Sequence, residues 1–350
     1  MGFLVLENGK YFQGKLFGSK NNVIGEVVFN TSMTGYEEII TDPAYYGQIV
    51  AMTYPLIGNY GVNSEDVESS SPKIKGLVVR ELCDYPSNWR SERTLEQYLI
   101  KHNITGIQGL DTRDLTKTLR DNGVMNGIIC NELPTQAELK QMKEYAIKNP
   151  VKEVAVKEKY HIKGNEKKKI AVIDLGHKKY ILNGLCQMDF DITVFPPLTS
   201  ADEILSGDFK GLVITDGPGD PNDNADTIKN IGLLLGKLPI LGISMGHQLL
   251  ALALGGRVIK LKYGHRGSNQ PIKNLLSGKM SITSQNHGYV VDASSLPDYV
   301  KVSWINWNDK TVEGIICDKF KGLGAQFHPV LDDKIDNDGI FNNFAAMMDL

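Results

Sequence analysis

With 350 residues, the chain has the length of two domains, each large enough to bury its own core. Its composition, 41% hydrophobic and 23% charged, is that of an ordinary globular protein. The formal net charge of -3 lacks the basic surplus of a nucleic-acid binder, and no apolar run approaches the roughly 20 residues that cross a bilayer.

In chain order, Phe3-Leu4-Val5-Leu6 followed by Glu7-Asn8-Gly9 reads as a short strand and turn. It is too brief for a signal peptide and lacks a basic leading region. Strand-like runs at 23–29 and 76–81 are separated by Gly, Asn and Pro turns. Two helices are expected, at 91–102 with Ser91 as N-cap and at 111–122 closed by Gly123. The first 150 residues therefore read as a mixed α+β domain without regular strand–helix alternation. Residues 151–169, rich in Lys, Glu, Gly and Asn, read as an exposed linker. From 170 to 350 the pattern changes. Apolar strands at 170–174, 192–195, 212–215 and 240–244 alternate with helical stretches, one opened by the capping pattern Ser200-Ala201-Asp202-Glu203. This alternation predicts an α/β domain around a central, mostly parallel sheet, whose ligands collect at the carboxyl ends of the strands. Asp174-Leu175-Gly176, Asp216-Gly217-Pro218-Gly219 and Ser244 all fall at such ends. Cys83, Cys130, Cys186 and Cys317 form no CxxC pair, as expected of free thiols in a reducing cytoplasm.

Gly242-Ile243-Ser244-Met245-Gly246 fits the G-x-S-x-G elbow, which exposes a nucleophile on a sharp strand-to-helix turn; a tight turn that merely needs glycine fits it as well. The helix expected from 246 to 254 aims its unpaired N–H groups at the elbow, where they would favour an oxyanion. Gly217-Pro218-Gly219-Asp220-Pro221 is a rigid turn that presents backbone N–H groups. A nucleophile needs a base, and His328 in Gln326-Phe327-His328-Pro329 is the candidate, with His247 and His287 as competitors.

Residues 242–248 resemble the nucleophile motif of class I glutamine amidotransferases, with Ser244 in place of the family cysteine. The 217–221 turn resembles their oxyanion loop, and 326–329 their catalytic-histidine motif. Phe29-Asn30-Thr31-Ser32-Met33-Thr34-Gly35-Tyr36, Asn59-Tyr60-Gly61, Ser87-Asn88-Trp89-Arg90 and Gly109-Leu110-Asp111-Thr112-Arg113 are similar to the amino-terminal domain of carbamoyl phosphate synthetase small subunits. Residues 264–269 and 282–288 are similar to that family again.

The resemblance implies a catalytic pair, Ser244 and His328, and glutamine held by Gly217, Gly219, Met245, Gln248, Asn286, Gly288 and Tyr289. It implies an oxyanion at the N–H groups of Gly217 and Met245. It also implies a cytoplasmic partner, the large subunit, which would take the ammonia and carry the ATP, bicarbonate and metal, with no cofactor or metal on this chain. The product would serve arginine or pyrimidine synthesis. No membrane or nucleic acid is expected as a partner.

Three positions depart from the family pattern. Ser244 replaces the cysteine, Val330 stands where a glutamate orients the histidine, and Ala44 replaces a serine that contacts glutamine. A free cysteine near pKa 8.5 is about 3% thiolate at pH 7, whereas a serine depends wholly on an oriented base. Glutaminase activity is therefore expected to be weak or lost. Asp332 or Asp333 could replace the missing carboxylate, giving an active serine-dependent glutaminase. The site could instead survive as a glutamine-binding module without chemistry. A serine hydrolase of Ser…Asp…His order would draw its acid from Asp292 or Asp309.

Overall fold

The computed structural model describes residues 1–329, 331–332, 335–336 and 339–348, and within 331–336 the backbone alone. Val330 and Asp333 lie outside the described residues, as does the Asp332 side chain. The chain divides into two compact units, Met1–Lys148 and Asn149–Leu350.

The first unit is a closed barrel of seven strands: Gly2–Leu6, Tyr11–Gly18, Thr105–Gln108, Gly76–Val78, Gln48–Met52, Val23–Asn30 and Met125–Cys130, in that spatial order. Parallel and antiparallel pairings mix around it, which fits the irregular pattern of the sequence. Successive residues feed two different cores, because strand side chains alternate between faces. Val27, Ile49 and Val78 meet Leu115 and Leu119 of the helix Thr112–Asn122, whereas Val28, Val50 and Leu77 meet Leu95 and Leu99 of the helix Leu95–Lys101. Asp111 caps the first of these helices, and Gly123 at φ 94° ends it, as expected. The second helix begins later than expected. Thr94 is its N-cap, with Gln97 completing a capping box, because Ser91 is bound in a turn to the Asn88 carbonyl.

In the second unit, five parallel strands run side by side: Phe190–Phe195, Asn165–Ile173, Gly211–Ile214, Ile240–Ile243 and Gly322–Ala325. The helices Ala225–Leu234 and Met245–Ala253 cover one face through Ile231, Leu234, Leu249 and Leu250. Lys179–Gln187 and Ile340–Met347 cover the other through Ile181, Leu185, Phe341 and Phe344. Antiparallel strands extend this centre at both edges. The long hairpin of Val258–Asn274 and Met280–Val291 joins through Lys301–Asn306 and Val312–Cys317.

The stretch 151–169, read as a linker, is structured. It holds part of the helix Pro150–Val154, the edge strand Tyr160–Ile162 and the start of Asn165–Ile173. Buried Val151 and Ala155 anchor it, and an edge strand tolerates the charge that concealed it in the sequence. No helix among the described residues is long and apolar enough to cross a membrane.

Candidate active site

Four adjacent parallel strands end on one side of the sheet. The segments that follow them carry Asp174–Lys178, Thr215–Gly219, Ser244 and Gln326–His328. Ser244 sits at the turn between Ile240–Ile243 and Met245–Ala253 with φ 52° and ψ -107°. That conformation is strained for any L-residue. It is held because Ser244 N–H donates to the Ala325 carbonyl at 2.7 Å and Gly246 N–H to that of Thr215 at 3.0 Å. The flanking glycines are required by space. A Cβ on Gly242 would lie 2.4 Å from the Gly246 carbonyl oxygen, and one on Gly246 would lie 2.1 Å from that of Ile214. The elbow geometry is thus present, with a buried serine at its tip.

The Gly217–Gly219 loop packs against the neighbouring strand end. A Cβ on Gly217 would stand 2.5 Å from the Leu175 carbonyl oxygen, and Gly219 has φ 93°. Thr215 ties the two loops together: its hydroxyl accepts from Leu175 N–H at 2.9 Å and donates to the Asp216 carbonyl at 3.0 Å. Met245 opens the helix, where N–H groups have no partner one turn back.

His328 is buried, and its backbone N–H donates to the Ser284 carbonyl at 3.0 Å. Its ring meets a lysine. Lys178 Nζ lies 3.0 Å from Nε2 and 3.3 Å from Nδ1, and among the described residues no carboxylate is hydrogen-bonded to the ring. Lys178 in turn ion-pairs with Asp216 at 3.7 Å. An ammonium can donate only to a neutral imidazole. Burial first, and then the Lys178 charge, push the His328 pKa well below its ordinary value.

The competing histidines have other tasks. His247 is wholly buried, neither ring nitrogen has a hydrogen bond, and burial lowers its pKa to about 3. It packs beneath Gly324. His287 Nδ1 donates to the Tyr289 carbonyl at 3.0 Å. Neither candidate hydrolase acid reaches His328: Asp309 bonds His265 at 2.8 Å, and Asp292 bonds Arg257 at 2.9 Å.

Of the remaining predicted contacts, Gln248 Nε2 donates to the Tyr289 carbonyl at 2.7 Å and to Gln326 Oε1 at 2.9 Å, tying the elbow helix to the strand Met280–Val291 and to the residue just past Gly322–Ala325. Asn286, Gly288 and Tyr289 lie on Met280–Val291, with Asn286 opposite Arg266 across the hairpin. Ala44 belongs to the first unit, in the single turn Pro43–Tyr45 capped by Asp42. Sequence reasoning missed Lys178, and with it His177, whose ring bonds Asp174 at 2.8 Å. The available signal was their place just past a strand end already marked as functional.

Residues 4–129 match the family described as carbamoyl-phosphate synthase small chain, CPSase domain, and residues 171–347 match class-I glutamine amidotransferases. The chain belongs to the carbamoyl-phosphate synthase small chain family. The small chain of Clostridium perfringens is 47% identical over 343 residues, covering 97% of both chains. That of Caldanaerobacter subterraneus is 49% identical, covering 94% of this chain and 90% of its own. The pyrimidine-specific small chain of Bacillus subtilis is 45% identical, covering 99% of this chain and 95% of its own.

Proposed function

We propose that this chain is a small subunit of carbamoyl phosphate synthetase whose glutaminase step is weak or lost. In this reading it supports a cytoplasmic large subunit that carries the ATP, bicarbonate and catalytic metal and runs largely on free ammonia. The name of the Bacillus subtilis relative favours pyrimidine over arginine synthesis as the destination. The observation that carries the reading is the lysine at His328. The base that would have to deprotonate Ser244 faces an ammonium at 3.0 Å, and Val330 stands in the position of the orienting carboxylate.

In the Ser-His-Asp template, spoiling the orienting carboxylate alone costs on the order of 10⁴ in rate. A serine is the nucleophile least able to absorb that loss, because its hydroxyl stays un-ionised without a competent base. Reconstitution with a large subunit tests the proposal. Ammonia is expected to support carbamoyl phosphate synthesis, and glutamine only a small fraction of that rate. Glutamine turnover at a normal rate, abolished by Ser244→Ala, would instead establish a serine-dependent glutaminase.

A second reading has its own support. Gln248, Asn286 and the Gly217–Gly219 loop keep the groups that would hold glutamine, so the site can bind what it no longer cleaves. Calorimetry of the complex with glutamine decides this, and absence of heat at millimolar ligand excludes a binding role.

A further inference from the structure

Away from the elbow, three strands bring together His265, His287 and Glu313. They come from Val258–Asn274, Met280–Val291 and Val312–Cys317, with the two histidines directly opposite each other. One donor atom from each lies within 4.8 Å of the other two. All three residues are buried, Glu313 completely, and neither of its carboxylate oxygens has a well-formed hydrogen bond, although His265 and Asn306 both approach it.

The outer nitrogens of both rings are already committed. His265 Nε2 bonds Asp309 Oδ2 at 2.8 Å, and His287 Nδ1 donates to the Tyr289 carbonyl at 3.0 Å. In neutral rings, the inner nitrogens then carry lone pairs. His265 Nδ1 lies 3.4 Å from Glu313 Oε1, and His287 Nε2 lies 3.8 Å from the same oxygen. Gln285 Oε1 adds another acceptor 3.1 Å from His287 Nε2. The Asn306 amide, its oxygen held by Asn308 N–H at 2.9 Å, points Nδ2 at His265 Nδ1 from 3.4 Å, which also suits a lone pair there. With only the long Asn306 contact to supply a hydrogen, the two inner nitrogens and the Glu313 and Gln285 oxygens converge as acceptors that a cation would hold together.

A single proton on His265 Nδ1 answers this poorly. A separation of 3.4 Å is long beside the roughly 2.7–2.9 Å of a charge-assisted bond, and it leaves His287 Nε2 facing the carboxylate. A metal answers all three donors at once. Ligating histidines characteristically donate their other N–H to a carboxylate or a backbone carbonyl, and both are found here. Separations of 3.4 and 3.8 Å suit two ligands on one ion with bonds of about 2.0–2.2 Å. The Glu313 and Asp309 charges together match those of a divalent ion, with the nearby Arg266 guanidinium adding a further positive charge.

We propose that His265, His287 and Glu313 bind a divalent transition metal of the zinc class, with the Gln285 oxygen as a fourth donor and Asp309 orienting His265. The site would clamp the hairpin to the strand Val312–Cys317.

The test uses full-length protein stripped with a chelator and dialysed against Zn²⁺ or Co²⁺. One equivalent per chain is expected, with a visible absorption band for Co²⁺ and a rise in melting temperature. Asp309→Asn should weaken binding by roughly 10–100-fold, and Glu313→Gln and His287→Asn should abolish it. X-ray absorption on the zinc-loaded wild-type protein should show two imidazoles and no sulfur, and it reads the site even where a variant does not fold. Failure to retain metal, sulfur ligation, or binding unchanged in folded Glu313→Gln overturns the proposal and leaves a proton as the shared cation.

Discussion

Ser244 holds its place at the tip of the elbow at a cost in backbone strain, at φ 52° and ψ -107°. Strain of this kind costs about 1–3 kcal/mol and disappears where no Cβ is present. Ser244→Gly should therefore be more stable than Ser244→Ala by roughly 1 kcal/mol, read as a shift in urea midpoint. Equal midpoints would mean that the elbow is relaxed. Lys178 sets the second expectation. Removing its charge with Lys178→Met should move the His328 pKa upward from its depressed position, because burial and the smaller effect of His287 alone then oppose protonation. An NMR titration of the His328 ring reads this directly; an unmoved pKa would assign the whole depression to burial. Ser244 and His328 were legible because each sits in a short contiguous motif. Lys178 was not, since its partner lies 150 residues away in sequence and a lysine beside a strand end has no distinctive spacing.

At the scale of the element, the elbow works because strand, turn and helix approach more closely than side chains allow. Gly246→Ala would press a methyl group against the Ile214 and Thr215 carbonyl oxygens at 2.1 and 2.9 Å. Backbone cannot retreat cheaply, so a loss of about 3 kcal/mol or more is expected. Gly232→Ala is the matched control. It lies in the helix Ala225–Leu234 with nothing within 4 Å of the new methyl, and should gain roughly 0.5–1 kcal/mol. Similar losses for both would show that glycine matters at the elbow for flexibility alone. The parallel strands were readable because both of their faces are buried, which leaves continuous apolar runs. The Val258–Asn274 strand was not, because its exposed lysines and lone apolar residues form no clean alternation. The helix entry at Thr94 was missed for a related reason. Ser91 is an equally good cap chemically, and only the turn at Asn88 removes it from competition.

At the scale of the whole molecule, the second unit stores its histidines in unlike charge states, and this fixes its response to pH. His247, His287 and His328 are all held below the ordinary value near 6.5, chiefly by burial. Above pH 6.5 they are neutral both folded and unfolded, and contribute no pH dependence. As pH falls below 6.5, the unfolded chain takes up protons that the folded unit refuses, so stability declines. The slope approaches about 1.4 kcal/mol per pH unit for each histidine, and about 4 for the three together. In protein stripped of metal, His265 acts in the opposite sense. Burial works against its charge, but Asp309 and Glu313 prevail and raise its pKa to about 9. Its contribution is fully present below pH 6.5 and is lost as pH rises through 9, at a gentler slope of about 1.4 kcal/mol per unit. Stability of this unit should therefore peak near pH 6.5–7 and fall more steeply on the acid side. Urea unfolding at pH 5, 6.5 and 8.5, followed through the fluorescence of buried Trp304, measures both limbs. A flat acid limb would mean that these imidazoles protonate within the folded unit, and His328 would then be open to solvent protons despite its burial beside Lys178.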